Sequence, residues 1–321
     1  MEAGARAREH VHTPSNGRVR SPHALAPPVP AARGATSLRQ AASDYLEMTK
    51  PKVQSLLLFT TVTTMYVAGT PPVSRVLLTC LGGALASGGA GAINHYLDRD
   101  IDARMSRTAR RPVPSGRVPP AAALAYGIGL GIASFALLAL TVNVLAASLA
   151  LSGLLGYVLV YTLWLKHRTP QNIVIGGAAG AVPPLVAWAA TTGTLDGSAL
   201  YLFAIVFYWT PPHFWALSLL MRNDYATAGV PMLPVVRGEE ETRWQILLYT
   251  ILLVAVTLLP FAFGLFDGVY LVSALILGSA FTGMALKLHR QADKRSALRL
   301  YLFSLAYLAL LFAAMVADAR I

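Results

Sequence analysis

The chain has 321 residues, of which 55% are hydrophobic and only 13% are charged. A soluble domain carries about a quarter charged residues, so this composition excludes an ordinary soluble enzyme and indicates a membrane protein. The formal net charge of +11 is distributed over several loops and forms no single basic stripe, which argues against nucleic acid as a partner.

Residues 1 to about 40 are rich in Ala, Pro, Arg and Gly and show no apolar period. This composition predicts a disordered cytoplasmic tail. The segment also lacks the apolar core of a cleaved secretory signal. We therefore divide the chain into a tail, residues 1–40, and a membrane domain, residues 41–321.

The membrane domain contains nine apolar runs that are long enough to cross a bilayer, which needs about twenty residues per helix. Several runs are rich in Gly and Ala, which favours close helix packing in lipid. The sequence predicts an all-α bundle of nine transmembrane helices around a central cavity. The runs cover residues 52–69, 74–93, 120–141, 144–165, 172–192, 199–220, 244–264, 268–287 and 298–317.

The distribution of basic residues predicts a cytoplasmic N-terminus. With this orientation, all of the 26 lysines and arginines lie in the tail or in inside segments, except Arg75 and Arg320. Such a bias is what the positive-inside rule expects. The two long inside loops, 94–119 and 221–243, also carry most of the acidic groups outside the tail. We therefore expect the functional site to face the cytoplasm.

The first inside loop begins with NHYLDRDID, residues 94–102. At about 100° per residue, Asn94, Asp98 and Asp102 share one face of a helix, whereas Asp100 points elsewhere. An amide and two carboxylates on one face suit Mg²⁺, which keeps several waters and often bridges to substrate phosphates. This pattern predicts a magnesium site at the mouth of the second span.

Arginines follow this motif directly, among them Arg107 and Arg111. Guanidinium groups beside a metal site are suited to the oxygens of a diphosphate. A juxtamembrane charge cluster that only sets topology would explain the arginines, but not the spacing of the Asn and Asp residues. On the same side lie Lys166 and Arg168, and Asp224 at the end of the sixth span, so two loops could enclose a diphosphate.

The sixth predicted span contains WTPPHFW, with His213 as the histidine placed inside a span. An ionisable group within the membrane is a functional hypothesis by default, although a histidine hydrogen-bonded between helices is an equal alternative. Pro211 and Pro212 predict a break in this helix and a cavity-lining segment. A second pair, Pro183 and Pro184, predicts an interruption of the fifth span.

Three stretches resemble a known family. They are NHYLDRDIDARMSRTARRPVPSGRV, TPQNIVIGGAAGAVPPLVAWAATTG and TPPHFWALSLLMRNDYATAGVPMLPVV, and the similarity extends over residues 44–310. They look like the heme branch of the UbiA superfamily of intramembrane prenyltransferases. The pattern N-x-x-x-D-x-x-x-D marks the whole superfamily, whereas D-x-x-M-x-R-T-x-x-R-P, P-P-H-F and D-Y-x-x-A-G-V-P-M-L-P are more specific to the heme branch.

The resemblance implies transfer of the farnesyl group of farnesyl diphosphate to a vinyl group of protoheme IX. Water addition would then give heme O and diphosphate, at the cytoplasmic face of the plasma membrane. Mg²⁺ is the implied cofactor; the implied partners are both substrates and the lipid bilayer, and docking of a heme A synthase is left open. The implied metal and catalytic set is Asn94, Asp98, Asp102 and Asp224; the implied diphosphate set is Arg107, Arg111, Lys166 and Arg168; and His213 is the heme-binding candidate.

One departure from the wider superfamily concerns the second acidic motif, which is usually D-x-x-x-D. Here Asp224 is followed four positions later by Ala228, so a second Mg²⁺ has one carboxylate fewer. Two alternatives stay open at this stage. One is a UbiA-type enzyme that prenylates a quinone precursor, and the other is a heme carrier or transporter without catalysis.

Overall fold

The computed structural model describes residues 37–321, and Leu38–Ile321 form one compact unit. Within these residues every regular element is helical, as the sequence predicts. Most of the predicted tail lies outside the described residues, and the helical domain begins at Leu38, slightly before the predicted boundary. The α-helices are α1 (Leu38–Met48), α2 (Pro51–Ala68), α3 (Val73–Leu97), α4 (Arg99–Asp102), α5 (Pro120–Thr141), α6 (Val144–Leu155), α7 (Asn172–Gly180), α8 (Val182–Thr192), α9 (Gly197–Leu220), α10 (Arg222–Ala228), α11 (Leu233–Val236), α12 (Gly238–Ala262), α13 (Gly268–Gln291) and α14 (Lys294–Asp318), and a π-helix, Gly156–Leu165, continues α6.

Seven helical segments in the described part of the chain are long and apolar enough to cross a membrane. The protein is therefore a multi-pass membrane protein. The segments are Val73–Leu97, Pro120–Thr141, Val144–Leu165, Asn172–Thr192, Gly238–Ala262, Gly268–Gln291 and Lys294–Asp318.

The other two predicted spans are present as helices α2 and α9, but their composition is more polar. Helix α2 buries threonines on its inner side, among them Thr60 and Thr64, and α9 carries the Thr-Pro-Pro-His stretch. Helix α9 packs against α7, α8, α12 and α14, while α2 packs against α3, α8 and α14. Both helices therefore contribute to the inside of the bundle.

Small residues allow α3 and α5 to approach closely, in line with the predicted role of the Gly-rich runs. A Cβ atom added at Gly89 would lie 2.7 Å from the carbonyl oxygen of Gly127. Ser134 of α5 also donates a hydrogen bond to the carbonyl oxygen of Gly82, at 2.7 Å. This contact fixes α3, which carries the first acidic residues, against its neighbour.

The two proline pairs behave differently. The fifth span is interrupted at Ala181, and Pro183 and Pro184 lie in the first turn of α8, as predicted. The predicted break at Pro211 and Pro212 is wrong, because α9 runs through both residues. Side-chain contacts to α14 hold this part of α9: the indole N–H of Trp209 donates to the carbonyl oxygen of Ser304 at 2.7 Å. Tertiary packing therefore outweighs the lost backbone hydrogen bonds.

Candidate functional site

The first acidic motif lies where α3 ends. The helix is interrupted at Asp98 and restarts as the short α4, yet the side chains of Asn94, Asp98 and Asp102 are all buried. The amide nitrogen of Asn94 donates to Oδ2 of Asp98 at 2.5 Å. The side chain of Asp100 is 75% exposed, so it points away from this group as the helical spacing predicts.

The π-helix brings a lysine to this group. Its wider winding is shown by the bond from the Lys166 backbone N–H to the carbonyl oxygen of Tyr161, five residues back. The hydroxyl of Thr162 also donates to the carbonyl oxygen of Tyr157. At the end of the π-helix, Nζ of Lys166 lies 2.5 Å from Oδ2 of Asp98. π-Helical turns are rare in proteins, and those that do occur are often found at functional sites.

The arginine-rich loop supplies a second cation. Nη1 of Arg111 lies 2.7 Å from Oδ2 of Asp102, and the hydroxyl of Thr108 donates to the backbone oxygen of the same aspartate. Arg117 serves a different purpose: its guanidinium pairs with Asp44 at 2.9 Å and with Glu47 at 3.1 Å, which attaches α1 to the loop. Of Arg111 and Arg117, only Arg111 thus pairs with a carboxylate of the first acidic motif.

Asp224 approaches the first loop from α10. The hydroxyl of Ser106 donates to both of its carboxylate oxygens, at 2.8 and 3.1 Å. Among residues 37–321, however, no three Asp, Glu, His or Cys side chains lie close enough together to hold one metal ion. The structure therefore brings Asp224 next to the arginine-rich loop without joining it to Asp98 and Asp102 at a common point.

Arg107 and Arg168 are exposed, and neither forms an ion pair within the described residues. A residue that the sequence did not single out, Tyr225 of α10, is buried close to Arg107 and Arg111. Burial raises the pKa of Tyr225, and the two arginine charges act in the opposite direction. The phenol thus stays a neutral donor beside the cationic loop.

Lys50 is a second residue of the site that the sequence pattern does not single out, because it lies just before the first predicted span and apart from both long inside loops. Its Nζ donates to Oδ1 of Asn94 at 2.6 Å and lies 3.4 Å from the hydroxyl of Tyr157. Burial, together with the charge of Arg111, lowers the pKa of Lys50 to about 7. Its backbone is left-handed, with φ 56°, directly before Pro51, a conformation uncommon for residues other than glycine.

Taken together, Lys166 and Arg111 pair with the buried carboxylates of Asp98 and Asp102, and Lys50 adds a third basic group, which is only partly charged at neutral pH because its pKa is about 7. Oδ1 of Asp98 is buried and has no hydrogen-bond partner within the described part. A buried acceptor without a partner is unusual and calls for a ligand. The basic groups around these carboxylates suit a polyanion, and the carboxylate oxygen of Asp98 that has no partner fits a Mg²⁺ ion with few protein ligands.

His213 lies elsewhere, between α9 and α14. Its ring stacks between Trp209, with centroids 4.3 Å apart, and Tyr301, at 4.9 Å. Its Nδ1 is 2.7 Å from the hydroxyl of Ser304. Among the other aromatic residues of this stretch, Phe214 packs edge-on against His213, and Trp215 packs against Tyr249. The structure thus places His213 in a packed interface between helices.

The fold and the buried group define a class of protein: an intramembrane helical bundle that buries carboxylates among lysine and arginine at the ends of its helices. Residues 56–311 match the UbiA prenyltransferase family. Because this match covers most of the chain, the protein belongs to that family.

Named relatives are similar over most of this chain. A protoheme IX farnesyltransferase from Roseiflexus sp. is 57% identical over 277 residues, which are 86% of this chain and 52% of the relative. Another from Symbiobacterium thermophilum is 52% identical and covers 87% of this chain and 95% of the relative. The chain thus spans about half the length of some curated relatives it matches, and nearly the full length of others.

Solved structures share the fold at low sequence identity. A chain from a study of digeranylgeranylglyceryl phosphate synthase has a TM-score of 0.71 at 20% identity and covers 87% of this chain and 98% of that chain. A UbiA homolog from Archaeoglobus fulgidus bound to DMAPP and Mg²⁺ has a TM-score of 0.61 at 16% identity, covering 85% and 99%. These similarities establish the UbiA fold.

Proposed function

We propose that this protein transfers the farnesyl group of farnesyl diphosphate to a vinyl group of protoheme IX, and that water addition gives heme O and diphosphate. The observation that carries the proposal is the similarity to protoheme IX farnesyltransferases, which reaches 57% identity over most of this chain. The buried group around Asp98 supports it, because its basic groups suit a diphosphate.

In the proposed reaction, the C1–O bond of farnesyl diphosphate breaks and the diphosphate leaves with the electron pair. Lys50, Lys166 and Arg111 surround the position where this negative charge develops, so they stabilise the leaving group. Arg107 and Arg168 are exposed at the rim, where they can bind the outer phosphate oxygens. The allylic cation is attacked by the vinyl group, and water adds to the new cation with release of a proton.

We propose Mg²⁺ as the cofactor, and Asn94, Asp98, Asp102 and Asp224 as the residues that would hold it. When bound, the ion would neutralise the negative charge of the phosphate oxygens. The chain's own side chains orient this set: Asn94 bridges Lys50 and Asp98, and Ser106 holds Asp224 at the loop. Loss of the Asn94 contacts should change the position of Asp98, and loss of the Ser106 contact should change the position of Asp224, while both carboxylates remain present.

We further propose that α2 and α9 cross the membrane, which gives nine spans with a cytoplasmic N-terminus in the plasma membrane. The site would then face the cytoplasm. His213 stays the candidate for a heme contact; because its ring is enclosed between Trp209 and Tyr301, such a contact requires it to leave that stack. A heme A synthase is kept as a partner on the resemblance alone.

The decisive experiment is an incubation of the purified protein in lipid with protoheme, farnesyl diphosphate and Mg²⁺, with the heme products analysed by mass. We expect a product heavier than protoheme by one farnesyl and one hydroxyl group. A parallel reaction with an aromatic acid in place of protoheme tests a quinone-type acceptor. Prenylation of the aromatic acid alone, or no heme product at all, would refute the proposal.

A metal series completes the test. Removal of divalent ions with a chelator should abolish product formation, and added Mg²⁺ should restore it, because the ion would neutralise the charge that develops on the leaving diphosphate. Activity that is unaffected by the chelator would contradict the metal part of the proposal while leaving the acceptor assignment intact.

A further inference from the structure

A cavity of about 480 Å³ lies on the proposed cytoplasmic side, apart from the acidic group. Its walls come from the segment that joins the π-helix to α7, from Trp215 of α9, and from Leu233 and Arg237 at the start of the α11–α12 region. Cavities of about 300–1,000 Å³ are typical of small-molecule sites. The cavity is therefore large enough to hold part of a ligand that the acidic group does not bind.

A short segment connects this cavity with the acidic group. Nζ of Lys166 reaches Asp98, and Thr169, three residues later, lines the cavity. The backbone N–H of Thr169 bonds to the carbonyl oxygen of Leu165, so the segment turns tightly between the two sites. The cavity and Lys166 are thus linked through one turn of the chain.

The chemistry of the walls is polar on one side. Arg237, Glu241 and Gln245 follow one another at four-residue intervals and all line the cavity. The amide of Gln245 donates to Oε1 of Glu241 at 2.8 Å, which orients that carboxylate. The guanidinium of Arg237 is exposed and has no ion-pair partner among residues 37–321. An arginine free to pair suits a carboxylate.

The lining also includes two large apolar residues, Leu233 and Trp215. Trp215 is 1% exposed, and its indole N–H has no hydrogen-bond partner within the described part of the chain. An arginine and apolar side chains around one cavity suit a planar molecule that carries carboxylates at one edge.

We infer that this cavity receives the propionate-bearing edge of the porphyrin acceptor, and that Arg237 pairs with a propionate. The inference rests on the proposed function, in which protoheme is the acceptor. Protoheme carries its propionates and its vinyl groups on opposite edges. Binding of the propionates at Arg237 therefore directs the vinyl edge towards Lys166 and the diphosphate.

The test measures protoheme binding to the protein in lipid nanodiscs by the change in heme absorbance. Arg237→Gln should weaken protoheme binding roughly tenfold, because a charge-assisted hydrogen bond is lost. Glu241→Gln should tighten it about threefold, because a like charge is removed from the cavity wall. Arg290→Gln, an exposed change in the last turn of α13, serves as the control and should leave binding unchanged.

The dimethyl ester of protoheme separates this inference from general effects, since it lacks the propionate charges. Wild type and both cavity variants should bind the ester equally. Equal binding of protoheme by wild type and Arg237→Gln, or an equal loss for protoheme and ester, would overturn the inference. If heme O still forms in that case, the proposed function stands; if wild type forms no heme O, the proposed function itself fails.

Discussion

Two of the regions that bury ionisable side chains, one around Asp98 and one around His213, do so in opposite ways. Around Asp98, charges of both signs are enclosed together and one carboxylate oxygen is left without a partner. Around His213, an imidazole is enclosed by two aromatic rings, and its Nδ1 pairs with Ser304. The Asp98 oxygen without a partner favours a ligand at the first region, whereas the close packing of His213 favours a structural role at the second.

The largest effect should follow replacement of Asp98 by Asn. This change removes the carboxylate that faces both Lys166 and the proposed metal, so we expect product formation to fall at least about a hundredfold. Mass analysis of heme products would measure the loss. Asp100→Asn is the matched control, because that side chain is exposed and should tolerate the change. Wild-type activity in Asp98→Asn would place the chemistry elsewhere.

A double-mutant cycle separates the folding role of the Lys166–Asp98 pair from its role in the reaction. Lys166→Met leaves a buried carboxylate unpaired, so we expect unfolding to become easier by about 3–5 kcal/mol. Combining Lys166→Met with Asp98→Asn should restore most of the stability and none of the activity. Thermal unfolding in detergent and product formation are the two measurements. Recovery of activity in the double variant would contradict a direct role for the pair.

His213→Ala tests the other region. Because the ring fills a packed stack, we expect a loss of stability of about 3 kcal/mol, whereas a fall in protoheme affinity is expected only if the ring leaves the stack to contact heme, as proposed. His213→Phe keeps most of the stacking and should lose less. If the affinity for protoheme falls in both variants while the folded fraction stays constant, His213 contacts the heme and the contrast drawn between the two regions is wrong.

The smallest effect concerns the scaffold of the acidic group. Gly89→Ala would place a methyl group against the Gly127 carbonyl, so we expect a destabilisation of about 1–3 kcal/mol and reduced activity, because α3 moves. Gly83→Ala on the same helix meets no atom within 4 Å and should be neutral or slightly stabilising. Equal behaviour of the two variants in thermal unfolding would show that the α3–α5 contact does not fix the site.

Most of the helix positions could be predicted from the sequence, because lipid imposes a length of about twenty apolar residues on any span. Asn94, Asp98 and Asp102 were found by their spacing, and Asp100 was set aside for the same reason. Lys50 could not be found, because its neighbours in space come from α3 and the π-helix. The continuity of α9 through Pro211 and Pro212 was missed because contacts to α14, not local sequence, hold it.

The π-helix sets which residue reaches Asp98. An α-helix rotates by about 100° per residue, so a π-helix of the same length ends in a different direction. If Gly156–Leu165 kept its ten residues but returned to α-helical winding, Lys166 would point in a different direction, although the lysine itself is unchanged. The composition of this span would be the same, and it would still cross the membrane. The Lys166–Asp98 pair thus depends on how the helix is wound, which neither hydropathy nor residue identity records.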